Sequence, residues 1–283
     1  MLISWLLTVL ALILFPLGLV LYSGYWKFNR RVGHDVNTLF SAGAEGEKTI
    51  VTAAMLTGLP EPVQRYLCYS GIVGKPLVKA ARLKQVGRIR QDTQQPWMPF
   101  EAKEYYSVVQ PGFVWDATMR IGGLPLIRGE DQYQQGKGGM YITIAGLRSI
   151  VDAKGEAIDQ GSMMRYLNEM AWFPSGFLGK NITWKAIDDH SAEVTFTDQG
   201  KSISATLCID DEGKLTNFVA QRYRSVDGGY SEETWSTPFT AYGEFEGLKL
   251  PVKGKGVWNL KAGDLEYIEV EVIEIQYDTP YVY

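Results

Sequence analysis

The sequence predicts a mainly β protein with some helix: one curved antiparallel sheet or partly open β-barrel, a short helix against its concave face, and a transmembrane helix in front. Three observations carry that expectation. The first 26 residues, MLISWLLTVLALILFPLGLVLYSGYW, contain no charged side chain. From Pro76 onward apolar residues recur with period two, as half-buried strands require, with Gly/Asp turn signals between them. One later stretch, RYLNEMAWFP (residues 165–174), changes to helical spacing.

The leading run is long enough to cross a bilayer as a helix of roughly 20 residues. Trp5 at one end and Tyr22, Tyr25 and Trp26 at the other fit the two aromatic belts, and a membrane helix tolerates the kink at Pro16. A cleaved signal peptide needs a basic start, a shorter apolar core and small residues before the cut, and this leader has none of them. Lys27, Arg30 and Arg31 follow at once, so the positive-inside rule places the C-terminal domain in the cytoplasm, with the extracytoplasmic side as the alternative. The expected division is an anchor over 1–26, a juxtamembrane linker over 27–58 that includes SAGAEGEK (residues 41–48), and a β-rich domain over 59–283.

In LPEPVQRYL (residues 59–67), the prolines suit a turn and a first helical turn, Val63, Tyr66 and Leu67 share one side, and Gly71 and Gly74 end the helix. In GFVWDATMRI, Phe113, Trp115, Ala117, Met119 and Ile121 share one face, and Val114, Asp116, Thr118 and Arg120 the other. SAEVTFTD and SISATLCID read as a hairpin, and GKGG (136–139) and KGKG (253–256) as turns between strands. In LEYIEVEVIEIQYD the apolar parity slips at Ile273, which a bulge explains. On the order of a dozen strands result, enough for a curved sheet, an open barrel or a sandwich.

The helical stretch is expected to start at Ser162 as N-cap and stop at Pro174. Met163, Tyr166, Leu167 and Met170 form one stripe, which core packing accounts for. Arg165, Asn168, Glu169 and Trp172 form a second. Arg165 precedes Glu169 by four, the weaker order for a helical ion pair, so the pair is either a solvated one or part of a pocket wall under Trp172.

Four stretches, LPEPVQRYL, WMPFEAKEYY (97–106), FVWDA (113–117) and RYLNEMAWFP, together resemble a bacterial family of uncharacterised membrane-associated domains. That resemblance implies a domain from about residue 59 onward and no particular chemistry. The expected architecture also resembles the half-barrel of the lipoprotein-localisation carriers, a likeness of fold that does not carry function.

A net charge of −4 with the two signs interspersed lacks the clustered cations that phosphate neutralisation needs, so nucleic acid is not an expected partner. Cys68 and Cys208 lie far apart and read as packed thiols, with a disulfide between them as the alternative, and two histidines, His34 and His190, do not make a metal site. There is no G-x-S-x-G elbow and no dinucleotide loop, so no cofactor is expected. The expected function is a membrane-anchored, non-catalytic binding domain for an apolar or amphipathic, lipid-like molecule, with the bilayer itself held through residues 1–26. Its expected binding residues are Arg165, Glu169, Trp172, Trp115, Asp116, Arg120, Asp131 and Tyr133, although Trp115 and Asp116 cannot share a cavity in a regular strand. Two alternatives stand beside it: a tethered interaction module with a filled core, and a hydrolase using carboxylates among Asp116, Asp131 and Glu169.

Overall fold

The structure, a computed structural model, describes residues 2–41, 43 and 48–283. Most of SAGAEGEK lies outside the described residues. The leading helix, α1 (Leu2–Leu39), is long and apolar enough to cross a membrane, contains Pro16, and does not end where the apolar run ends. Its last part, including Lys27, Arg30 and His34, keeps helical spacing: Phe28, Val32, Val36 and Leu39 fall on one side and bury against Tyr105 and Val114. A second helix, α2 (Glu61–Ser70), has Pro62 in its first turn and ends at Gly71 in the left-handed conformation, φ 78°.

Fourteen strands follow. The first flank is β1 (Ala80–Ile89), β2 (Met98–Ser107), β3 (Gly112–Ile121), β4 (Leu124–Gln134), β5 (Lys137–Ile144) and β6 (Arg148–Ala153). After the helix α3 (Glu156–Glu169) come β7 (Ile182–Asp188), β8 (Ser191–Asp198), β9 (Lys201–Ile209), β10 (Leu215–Val226), β11 (Gly229–Ser236), β12 (Phe239–Phe245), β13 (Leu248–Leu260) and β14 (Gly263–Tyr277). They form one antiparallel sheet in the order β6-β5-β4-β3-β2-β1-β14-β13-β11-β10-β9-β8-β7, with β12 pairing β13 beside that path. The main core lies on the concave face, where α2 and α3 pack, while α1 covers part of the convex face.

Strand parity assigns the faces. Along β3, Phe113, Trp115, Ala117 and Met119 join the concave core and Val114 meets α1. The slip in β14 is a bulge at Ile273: Lys84 faces Glu274, Gln85 faces Val272, and Ile273 between them is 51% exposed. Two local expectations are corrected. KGKG (253–256) is not a turn but lies inside β13, where Lys253 and Lys255 pair with Glu271 and Glu266, and Tyr267 and Ile268 fill the room that a Cβ would take at Gly256. The helix after β6 begins at Glu156 rather than at Ser162, because Asp159 anchors its first turn. One carboxylate oxygen of Asp159 accepts from the Gly138 backbone N–H at 2.9 Å, and the other pairs with Lys137 and Lys201. Gly161 is carried within the helix, its carbonyl accepting from Arg222 Nε at 3.1 Å.

Candidate functional site

α3 lies directly on β5. A Cβ at Gly138 would stand 2.5 Å from the Ile158 carbonyl oxygen and 2.6 Å from Ser162 Oγ, so only glycine admits the helix this close. Further along, helix and sheet part. A cleft of about 700 Å³ opens between them, lined by Trp115, Met119 and Ile142 on one flank and Trp235, Trp258 and Ile268 on the other. Trp172 joins the lining, its Nε1 donating to the Pro251 carbonyl at 2.9 Å. The volume falls within the roughly 300–1,000 Å³ of small-molecule sites, and the lining is apolar with a few convergent polar groups, as such sites are.

The polar centre follows from register. Glu104 on β2, Trp115 on β3 and Asp131 on β4 face one another in a row across the concave face. Arg165 drops from α3 onto that row, its guanidinium 4.9 Å from the ring centres of both Trp115 and Phe113. Its Nη2 donates to Glu104 at 2.8 Å, Nη1 to Asp131 at 2.9 Å and Nε to Glu169 at 2.7 Å. Glu169 also accepts from the Tyr106 hydroxyl at 3.1 Å, and Gln85 joins Glu104 to Trp115, donating to the acid at 3.0 Å and accepting from the indole at 2.9 Å. Burial pushes Glu104 well above the usual carboxylate range against the pull of Arg165, and raises Asp131 against the pull of Arg165 and Arg222. The pair expected on α3 is therefore a partly buried four-member cluster and not a solvated one.

Of the eight expected site residues, Arg165, Glu169, Trp172, Trp115 and Asp131 line the cleft. Asp116 and Arg120 fall on the opposite face by strand parity: Asp116 pairs with Arg128 at 2.9 Å, and Arg120 with Glu101 at 3.1 Å. Tyr133 is buried against Tyr166 with its hydroxyl donating to Asp198 at 2.7 Å, so it props α3 from beneath. The expectations did not include Glu104, Gln85, Arg222, Trp235 and Trp258. Parity in FEAKEYY does place Glu104 with Phe100, Ala102 and Tyr106 on an otherwise apolar face.

Besides Arg165, the lining carries Arg90, Arg222, Arg224, Lys253 and Lys255, and of these Arg222 is the one stacked on tryptophans of the lining, Trp235 and Trp258. Its guanidinium lies 4.6 Å from the ring centre of Trp235, and among the described residues no carboxylate pairs with it. A second buried polar cluster sits behind the sheet, under α1. There Arg31 meets Glu130 at 2.6 Å, and Asn29 accepts from Arg128 at 2.9 Å. Burial, with Asp35 alongside, pushes Glu130 up to about 8 despite Arg31. Among the described residues no group of three or more His, Cys, Asp or Glu could hold a metal ion, and both cysteines are free.

Residues 49–270 match the family of unknown function DUF6544, a span that holds all four quoted stretches, and the chain belongs to that family. No curated protein matches it. Among solved structures, a LolA superfamily protein of Nitrosomonas europaea is similar at 8% identity and TM-score 0.43, over 80% of this chain and 93% of that one. A DUF1329 family protein of Desulfovibrio piger is similar at 8% identity and TM-score 0.44, over 82% and 95%. These are distant likenesses of fold.

Proposed function

We propose that this member of the family is a membrane-anchored half-barrel that holds an apolar or amphipathic molecule in the cleft between α3 and the concave face of the sheet. The supporting observation is the cleft itself, about 700 Å³ with four tryptophans in its lining. Burying apolar ligand surface there is favourable by roughly 25 cal/mol per Å². Arg165 and Glu169 shape the polar wall, but with three carboxylates around it Arg165 has little left for a ligand. The polar end of the ligand is assigned to Arg222, which stacks on Trp235 without a carboxylate partner, and the ligand is therefore an anionic amphiphile. Of the three carboxylates in the lining, Asp131 and Glu169 converge on Arg165 and Asp92 stands apart on the β1–β2 connection, accepting from the Gln94 backbone N–H, which favours holding over hydrolysis.

α1 supplies the anchor in this reading, and Lys27 and Arg30, both exposed, put the domain on the cytoplasmic side by the positive-inside rule. The test is native mass spectrometry of the full chain extracted from membranes, followed by titration with a long-chain fatty acid and with the alcohol of the same chain length. Co-purifying lipid and acid-selective binding that Arg222→Gln removes are the expected results. A bare protein mass together with no binding of either probe would overturn the reading.

A further inference from the structure

Strands β1, β3 and β5 all run toward one end of the first flank, and the turns there carry apolar side chains that stay largely exposed. Ile121 and Leu124 flank the β3–β4 turn, and Ile144, Leu147 and Ile150 surround the β5–β6 turn; all five are 43–59% exposed. Single exposed apolar residues need no explanation, but five on two adjacent turns form a patch that calls for a partner.

α1 shows what that partner is. Gly24 packs directly onto Ala145 and Leu147, leaving no room for a Cβ. From there the helix descends the convex face along β4, through Asn29 with Arg128 and Arg31 with Glu130 to the Asp35 carbonyl, which accepts from Gln134. Everything before Gly24 therefore projects beyond the two turns. Leu2 to Ser23 at about 1.5 Å per residue give roughly 33 Å of helix, against a hydrocarbon core about 30 Å thick. A core of that thickness takes about 20 residues of helix, and the uncharged run closes at Trp26 with Lys27 the first charge, so the edge of the span falls near Gly24 and the turns beside it arrive at the membrane surface. Tyr22, Tyr25 and Trp26, all exposed, stand at the same level, as an interfacial aromatic belt does.

We propose that the β3–β4 and β5–β6 turns seat in the headgroup region of the bilayer that α1 spans, giving the domain a second, fixed contact with the lipid. The cleft reaches this same end through Ile89, Arg90 and Gln95 on the β1–β2 connection. Its mouth then opens at the lipid surface, where an amphiphile enters without crossing water. The proposal rests on α1 being an anchor, and it stands independently of what the cleft holds.

The test uses the full chain in lipid nanodiscs, with Cys68→Ser and Cys208→Ala as background and one nitroxide-labelled cysteine at a time: Leu12→Cys, Leu124→Cys, Leu147→Cys or Val109→Cys. Val109 is 50% exposed in the β2–β3 turn at the opposite end of the same strands. Relaxation by oxygen against relaxation by a polar nickel complex reports depth. The expected result is an oxygen-to-nickel ratio several-fold higher at Leu12, Leu124 and Leu147 than at Val109. A high ratio at Leu12 with Leu124 and Leu147 no different from Val109 would overturn the proposal and leave the anchor standing. Water-like ratios at all four would overturn both.

Discussion

Arg165→Met tests the cluster at the centre of the cleft most directly. Methionine keeps an unbranched apolar stem over Phe113 and Trp115 but removes the one cation shared by Glu104, Asp131 and Glu169. Three hydrogen bonds to charged groups at about 1.5–3 kcal/mol each would sum to more than 4 kcal/mol. Two effects reduce that figure: the guanidinium no longer has to be desolvated, and Glu104, whose hold on a proton burial strengthens, gives up less Coulombic attraction. The expected loss is that of breaking a buried pair from one side, about 3–5 kcal/mol near pH 8. Without Arg165, Glu104 and Asp131 move further above their unfolded values, so the folded chain binds more protons than the unfolded chain. Stability of the variant relative to the parent then falls as pH rises through that window and recovers as pH drops toward the unfolded carboxylate range. Urea unfolding of the full chain in a mild detergent, followed by tryptophan fluorescence near pH 5 and pH 8, reads both quantities. A loss below about 1 kcal/mol at pH 8, or an equal loss at the two pH values, would refute the account of Arg165 as the charge that the three acids share.

Glu104→Gln should cost under about 1 kcal/mol in the same unfolding assay, because a neutral amide can still accept from Arg165 and meet Gln85. Gly138→Ala should cost about 1–3 kcal/mol by pushing α3 off β5, visible as a lower urea midpoint with an unchanged slope. Glu130, at about 8 when folded, takes up a proton on folding; the seating of α1 is therefore firmest below about pH 5 and loosens as the pH climbs toward about 8, by about 1.4 kcal/mol for each tenfold fall in proton concentration between those limits. Hydrogen exchange over Phe28–Leu39 should show that loosening, and Glu130→Gln should flatten it. Arg222→Gln should weaken fatty-acid capture about tenfold, a 1.4 kcal/mol change, and leave binding of the matching alcohol within about twofold.

The faces of the strands were legible in the sequence, and their neighbours were not. Alternation in β3 separates Trp115 from Asp116, and the parity slip at Ile273 marks a bulge, because side-chain direction is a local property with period two. The same local reading missed the start of α3: Gly161 next to Ser162 resembles a helix boundary, whereas the helix is held from Glu156 by Asp159 contacts to Gly138, Lys137 and Lys201. The polar half of the site was only partly legible. Arg165 and Glu169 are four apart on one helix, but Glu104 and Asp131 meet them only through the pairing order β2-β3-β4. Arg222, Trp235 and Trp258 come from β10, β11 and β13, which reach the cleft because β14 returns to pair β1, a long-range choice that hydrophobic pattern does not encode.

That return sets an order of events during synthesis. β2 to β6 are joined by short turns and β1 to β2 by a longer connection, all forming by local pairing as they are made, whereas β1 also needs β14, its partner across a sequence separation of 194 residues at Arg82 and Gln276. Until β14 exists, β1 is an open edge facing a half-built sheet, and non-local pairing of this kind is slow and exposes apolar surface. α1 and the concave-face helix α3 are both made before β14. The growing chain thus has its first flank covered behind by α1 and in front by α3 before the seam closes, and the protein's own leading helix serves as a cover for its unfinished sheet.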